Sequence, residues 1–341
     1  MQRGAFYMEK IRVGINGFGR IGRTLMRVIN QRNTLQVVAV NDLADTETLA
    51  HLLKYDSVHG RFPQEVAATG ESLRVGKQHI KVSHHANPAD IPWEQARVDL
   101  VIESVGQFKS SSLAKQHLKP GVKKVIISAP PVDDETKTIV LGVNDELIAE
   151  TDVILSNASC TTNCAAPMIK VVKDHFGIES AYVTTVHSFT TDQRLHDSPH
   201  RDLRRARAAT LSMVPTTTGA AKALSRVFPE LEGHIGGCGI RVPVPDGSLT
   251  DITFHVKRDT SVEEVNELFR NASQTQLKGI LDYTEEPLVS ADIVGLKESC
   301  LIDAQLTSVL GRMVKIVGWY DNEVGYANRL ADLAEKLLLK S

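Results

Sequence analysis

The stretch Gly17-Phe18-Gly19-Arg20-Ile21-Gly22-Arg23 restricts the possible folds of this chain more than any other. It follows an apolar run, residues 10–16, that reads as a strand, and it leads into a helical pattern over residues 24–31 with Leu25, Val28 and Ile29 on one side. Three glycines at this spacing, between a strand and a helix, form the fingerprint of a dinucleotide-binding turn. Gly17 permits the tight turn, Gly19 lets the backbone approach a pyrophosphate, and Gly22 lets helix and strand pack closely. The phosphates would rest on N–H groups of the helix start, near Arg20 and Ile21. The next strand, residues 35–41, ends in Asp42, where a carboxylate bonds a free ribose 2′-hydroxyl and repels a 2′-phosphate. NAD is therefore expected rather than NADP.

The first half keeps the same rhythm. Residues 98–104 and 124–128 read as apolar strands, with a helix-like stretch over residues 110–118 between them, ended by Pro120-Gly121. Strands alternating with helices imply an α/β fold with a doubly wound parallel sheet. Ligands bind at the carboxyl ends of such strands, which nominates Ser104, Gly106, Ser128 and Ala129 as cleft residues. His79, His84 and His85 lie in and after a hairpin-like region with no third ligand in pattern, so no metal is expected.

The second half centres on Ser156-Asn157-Ala158-Ser159-Cys160-Thr161-Thr162-Asn163-Cys164. Residues 153–155 before it read as a buried strand, and residues 165–176 after it as a helix closed by Gly177. Cys160 thus lies where a strand turns into a helix, and a helix start favours a thiolate and can stabilise an oxyanion. A lone cysteine is more often a small buried residue. A partner changes that reading: residues 180–186 alternate like a strand and deliver His187 at its end, and Cys-His pairs activate thiolates in unrelated folds. A polar loop over residues 188–207 carries Thr190, Arg204, Arg205 and Arg207. Pro215-Thr216-Thr217-Thr218-Gly219 precedes a helix over residues 220–227, and Arg241 leaves another strand. Hydroxyls and arginines in one domain suit phosphate recognition.

Composition limits the alternatives. The 341 residues are enough for about two domains, and a formal charge of -2 argues against a general polyanion binder. Four cysteines in a chain of this length do not form a disulfide framework, which suits a reducing compartment. Residues 1–10 lack an apolar core of signal-peptide length and no run of about 18 apolar residues occurs, so a cytosolic protein is expected. Residues 1–7 read as a short extension before the first strand, with Met8 as a second possible initiator. The amphipathic helix over residues 327–339 is expected to pack back on the first domain.

The chain resembles the phosphorylating glyceraldehyde-3-phosphate dehydrogenases along nearly its whole length, through INGFGRIGR, SNASCTTNC, DLRRARAA, PTTTGAAKA, RVPVP and WYDNEVGY. The resemblance implies a Rossmann NAD-binding domain over residues 1–158 with residues 323–341 returning to it, and an α+β catalytic domain over residues 159–322. It implies cytosolic homotetramers that oxidise glyceraldehyde 3-phosphate with NAD and inorganic phosphate, giving 1,3-bisphosphoglycerate through a cysteine thioester. By position, Cys160 resembles the nucleophile and His187 its base. Ser159, Thr161, Thr190, Arg205, Thr218, Gly219 and Arg241 resemble the ligands of two anion sites. Arg20, Ile21, Asp42, Ser128 and Asn322 resemble cofactor contacts, and Tyr326 a residue lining the nicotinamide pocket. Thr191, in Thr190-Thr191-Asp192, and Val105, Ala86 and Val324 depart from the residues usual in the family. Erythrose-4-phosphate dehydrogenase is the alternative enzyme, although this chain keeps PTTTG and the Thr-x-Asp of the basic loop. A catalytically idle binding protein on the same fold would not need Cys160, His187 and the arginines together.

Overall fold

The computed structural model describes residues 9–339, so the expected extension over residues 1–7 lies outside the described residues. Two compact units form. One comprises the chain up to Lys137, Ala149–Asn157 and the part from Leu330 onward; the other comprises Thr138–Ile148 and Ala158–Arg329. The apolar side chains of Val140 and Val143 are buried in the core of the second unit, which accounts for the placement of Thr138–Ile148 there.

In the first unit, six strands run parallel in the order Ile154–Ser156, Lys124–Ile127, Leu100–Glu103, Ile11–Asn16, Leu35–Asn41 and Gln78–Ser83. Antiparallel strands Ser72–Val75 and Val66–Ala68 extend the last edge. This is the doubly wound α/β order, with the reversal between Ile11–Asn16 and Leu100–Glu103. Near-continuous burial along these strands fits a sheet covered on both faces: Val13, Ile15, Val40, Leu100 and Val101 are fully buried. Arg32 reaches Asp332 at 2.6 Å and Glu335 at 2.8 Å, which ties the last turns of the C-terminal helix Val324–Leu338 to this unit.

Two helical stretches in the first half of the chain differ from the expectation. The first spans Arg20–Ile29, starting inside the glycine motif rather than after it. Gly22 makes this possible, because a Cβ there would lie 2.3 Å from the Gly17 carbonyl oxygen. The stretch read as a helix over residues 110–118 forms one turn, Ser111–Ala114, and then a tighter turn, Lys115–His117. The His117 side chain is turned fully into the core, where Glu103 and Trp93 hold it.

The second unit is a mixed sheet in the order Val214–Thr216, Ile235–Val242, Ile178–Ser188, Ser248–Val256, Met313–Tyr320, Cys300–Asp303 and Leu281–Thr284. The helix Cys160–Phe176 packs on it through Cys164, Met168 and Val172, spaced one turn apart and fully buried among Val183, Ile252, Phe254 and Ile316. At about 25 cal/mol per Å² of buried apolar surface, each such side chain contributes roughly 1.5–3 kcal/mol. The position of Cys160 is therefore set by the main core. No helix among the described residues is long and apolar enough to cross a membrane.

Candidate active site

The first unit carries the features of a dinucleotide site. Gly17 has a φ of 88°, and a Cβ on it would meet the backbone nitrogen of Val105 at 2.7 Å, so glycine is required on both grounds. Gly19, by contrast, has nothing within 4 Å of its missing Cβ. Gly19 starts the helix Arg20–Ile29 without a side-chain cap, and the first turn holds no acidic residue. The positive end of the helix thus faces open space of the kind a pyrophosphate fills. Asp42 lies beside it, accepting the Phe18 N–H at 2.7 Å and the Ala44 N–H at 3.0 Å. Ser104 Oγ donates to the carbonyls of Asn16 and Gly17, and the Ser128 N–H donates to the Glu103 carbonyl at 2.9 Å. These residues fit NAD. The Arg20 side chain pairs with Asp56 at 2.7 Å, which leaves its main chain, with that of Ile21, as its part of the helix start. Burial opposes the charge on Asp56, but the N–H groups of His59 and Val58 and the Arg20 guanidinium outweigh it and hold the carboxyl at about 2.

The second unit carries the thiol. Its helix begins at Cys160 itself, five residues earlier than the apolar pattern indicates, because Ser159 caps it by accepting the Thr162 N–H at 3.1 Å. The preceding residue, Ala158, takes a left-handed φ of 55°, and the Tyr326 hydroxyl donates to its carbonyl at 3.0 Å. A non-glycine residue in that region is strained, and the strain is kept here directly before the cysteine. Cys160 Sγ lies 3.5 Å from His187 Nε2. His187 comes from the end of the strand Ile178–Ser188, and its register partner on the parallel strand Ile235–Val242 is Arg241. His187 Nδ1 lies 2.7 Å from the Ser188 carbonyl oxygen and donates to it, which leaves Nε2 as the bare nitrogen facing the thiol; Arg241 Nη1 donates to the same carbonyl at 3.0 Å and lies 2.8 Å from Nδ1.

These contacts set the charge of the pair. Burial pushes the Cys160 thiol up to about 11, against the pull of Arg241 and of the Thr161 N–H. Burial and then Arg241 hold His187 down to about 3. At neutral pH the resting site is a thiol facing a neutral imidazole, beside a fixed guanidinium. The imidazole is free of a proton on one nitrogen and so can accept one.

The predicted anion ligands gather in part. Arg205 Nε donates to Thr216 Oγ1 at 3.0 Å, Nη2 donates to the Thr217 carbonyl at 3.2 Å, and Nη1 pairs with Asp192. Arg205 is close enough to Arg241 and His187 to disfavour positive charge on both. Thr218 and Gly219 stand at the start of the helix Ala220–Val227, with the space at Gly219 open. Thr161 Oγ1 meets the Tyr320 hydroxyl at 2.9 Å. Thr190 closes a loop turn with Gln193. Arg204 and Arg207, expected to serve the same anions, are held elsewhere: Arg204 Nη1 reaches the Pro215 carbonyl at 3.4 Å, and Arg207 pairs with Asp197 at the surface.

Four residues were not singled out from the sequence. Tyr320 bridges Thr161 and Thr185 at 2.9 Å each and presents its ring edge-on to His187. Ser188 and Ser248 both donate to Asn322 Oδ1 at 2.8 Å, which orients its amide NH2 away from them. The only available signal was the position of Tyr320 at the end of an apolar strand, in the same motif as the already nominated Asn322.

Comparison with known proteins accords with this geometry. Residues 11–111 match the model of the glyceraldehyde 3-phosphate dehydrogenase NAD binding domain, and residues 159–322 match that of the C-terminal domain of the same family. Glyceraldehyde-3-phosphate dehydrogenase 1 of Streptomyces avermitilis is 55% identical over 326 residues, covering 95% of this chain and 97% of the relative. The glyceraldehyde-3-phosphate dehydrogenase of Mycolicibacterium smegmatis is 52% identical over 331 residues, at 95% and 97% coverage. That of Geobacillus stearothermophilus is 51% identical over 332 residues, at 97% and 99% coverage. A glycine cradle for NAD, a helix-start cysteine set against a histidine, and relatives of this closeness over both units have one consistent meaning: the chain belongs to the glyceraldehyde-3-phosphate dehydrogenase family.

Proposed function

We propose that the protein oxidises glyceraldehyde 3-phosphate, with NAD and inorganic phosphate, to 1,3-bisphosphoglycerate through a thioester on Cys160. The observation that carries this reading is the 3.5 Å approach of Cys160 Sγ to His187 Nε2 at a helix start, with Arg241 beside Nδ1, the other ring nitrogen. His187 takes the thiol proton as sulfur attacks the aldehyde carbon, and returns it to the oxygen of the resulting hemithioacetal. Nε2 then accepts that hydroxyl proton while hydride leaves the carbon, and the thioester remains on Cys160. NAD, when bound, supplies the hydride acceptor. Inorganic phosphate attacks the thioester carbon, the C–S bond breaks, and His187 returns its proton to sulfur.

The remaining residues divide the work. Ser159, Thr161, Thr190, Arg205, Thr218, Gly219 and Arg241 hold the substrate phosphate and the attacking phosphate. Gly17, Gly19, Gly22, Arg20, Ile21, Asp42 and Ser128 hold the cofactor, and Asn322 takes its carboxamide on the NH2 that Ser188 and Ser248 aim. Residues 1–158 with the returning helix serve the cofactor, and residues 159–322 serve the chemistry. The protein works in the cytoplasm, consistent with its four free cysteines.

The working form is a homotetramer. Leu195, Leu203, Leu211 and Met213, in and after the basic loop, are 70–82% exposed, an apolar density that favours burial against another copy. Sedimentation is expected to give tetramers, and a fully active monomer would contradict this. The reaction itself is tested by NADH formation with glyceraldehyde 3-phosphate and with erythrose 4-phosphate, each with and without inorganic phosphate. Sustained turnover is expected only with the triose and phosphate together. Faster phosphate-independent turnover of the tetrose would replace this reading with the alternative enzyme.

A further inference from the structure

One buried chain of polar contacts runs through the first unit, starting from the core residue Trp93. Trp93 Nε1 donates to His117 Nδ1 at 3.1 Å, and His117 Nε2 lies 2.9 Å from Glu103 Oε2. Asn16 Nδ2 donates to the same oxygen at 2.6 Å, and the Val105 N–H donates to Glu103 Oε1 at 2.8 Å. Asn41 Nδ2 donates to Asn16 Oδ1 at 2.8 Å, and Ser83 Oγ donates to Asn41 Oδ1 at 2.9 Å. Trp93, Glu103, His117, Asn16 and Asn41 are each at most 3% exposed.

The direction of this chain is fixed by chemistry. Indole is a donor only, so His117 Nδ1 must accept; Nε2 then carries the hydrogen and donates to Glu103. The carboxylate receives three N–H groups and offers none. A buried carboxylate is costly without such partners, and an apolar set of the same shape would fill the core as well. What the polar set provides is orientation.

The strand register shows what is being oriented. Asn16 pairs with Glu103 on one side and with Asn41 on the other, and Asn41 pairs with Ser83. The chain therefore crosses four adjacent strands at their carboxyl ends and spans the point where the strand order reverses. On three of these strands the chain opens into a loop directly after the member: Gly17 after Asn16, Asp42 after Asn41, and Ser104 with Val105 after Glu103.

We propose that the belt Trp93–His117–Glu103–Asn16–Asn41–Ser83 is a positioning device for the adenosine and pyrophosphate half of NAD. It holds the Gly17 turn, the Asp42 carboxylate and the backbone of Val105 at one relative spacing. These are positioning residues, since none of the belt side chains is placed against the cofactor. The inference rests on the reading of this unit as an NAD site.

The test is the dissociation constant of NAD and, separately, of ADP-ribose, measured by calorimetry on the full-length protein without substrate. Glu103→Gln replaces an acceptor-only group with one that must also donate, against three fixed donors. It is expected to weaken both ligands by the same factor, about 10-fold. His117→Gln keeps the order of donor and acceptor and is expected to bind within about threefold of wild type, whereas His117→Phe loses both bonds and should resemble Glu103→Gln. The alkylation rate of Cys160 and the KM for inorganic phosphate should not change. A folded Glu103→Gln protein that melts lower but binds both ligands like wild type would overturn the proposal, because the belt would then be structural only. If Glu103→Gln does not fold, Ser83→Ala at the half-buried end decides: unchanged affinity for ADP-ribose overturns the proposal, and a severalfold loss supports it. Failure of the wild-type protein to bind NAD would instead refute the underlying reading of the site.

Discussion

In the first unit the ligand would meet main-chain N–H groups and the open space at Gly19, whereas in the second it would meet side chains: a thiol, an imidazole and two guanidinium groups. The nucleotide site is local, with its glycines within one turn between a strand and a helix. The thiol site is assembled from distant segments, since Cys160, His187, Arg205, Arg241 and Asn322 meet only once a mixed sheet has formed. Main-chain recognition binds a pyrophosphate whose charge stays constant through the reaction, and small or absent side chains suffice for it. Chemistry that moves a proton and a hydride needs groups whose protonation can change, and burial sets their state. The two sites should therefore fail in different ways when altered.

Cys160→Ser is expected to lower turnover by about 10⁴-fold or more while leaving the NAD dissociation constant unchanged. Calorimetry beside steady-state rates checks both halves of that statement. Loss of NAD binding in this variant would mean that the two sites are not separable in function.

Arg241→Ala should lower kcat/KM by about 10²–10³-fold. It removes the positive charge that pulls the Cys160 thiol down and the His187 pKa down, so the thiol should titrate higher still and the imidazole higher than now. The pH profile of alkylation by iodoacetamide reads the first effect directly. A profile that does not move would detach Arg241 from the thiol.

The same pair should limit stability at both ends of the pH scale. The unfolded chain takes up a proton on His187 near 6.5 that the folded chain refuses until about 3, so stability falls as pH drops through that window. The unfolded chain loses the Cys160 proton near 9.0, which the folded chain keeps until about 11, so stability also falls as pH rises there. Each limb amounts to about 1 kcal/mol per pH unit. Asp56, held at about 2 in the folded chain against 3.8, adds to the acid limb below pH 4. Denaturant melts across pH should show a plateau between the limbs, and His187→Asn should make the acid limb shallower. An unchanged acid limb in that variant would contradict the assignment.

Gly19→Ala tests the first unit alone. Nothing lies within 4 Å of the added Cβ, so the melting temperature should stay the same, while a methyl group in the pyrophosphate cradle should weaken NAD by about 10-fold. The Cys160 alkylation rate should be that of wild type. Equal affinity in this variant would move the cofactor phosphates away from the helix start.

The contrast between the units also explains how much could be read from the chain itself. The glycine turn, Asp42 and the parallel sheet follow from local spacing and alternation, and the structure has them in place. The helix carrying Cys160 was read as starting at Ala165 because residues 159–163 are polar and carry no helical apolar pattern; the Ser159 cap, a local hydrogen bond, moves its start to Cys160. His187 was legible as a strand end. Its neighbour Arg241 was legible only as a nearby cation, because contact between the two depends on a parallel register that no local pattern encodes. The same holds for Tyr320 against Thr161, and for Trp93, His117 and Glu103, whose spacing along the chain follows no period. Arg204 and Arg207 were read with Arg205 as cations for the anions; Arg204 Nη1 reaches the Pro215 main-chain carbonyl and Arg207 pairs with Asp197, contacts that no local pattern encodes.

The central claim is that Cys160 carries the acyl group between hydride transfer and phosphate attack. The most direct measurement mixes the protein with glyceraldehyde 3-phosphate and NAD in the absence of inorganic phosphate, follows NADH on the millisecond scale and then records the intact mass after an acid quench. The account predicts a burst of one NADH per active site with a matching acyl adduct that maps to Cys160 and disappears when phosphate is added. NADH formation without a burst, or an adduct on any other residue, would contradict it.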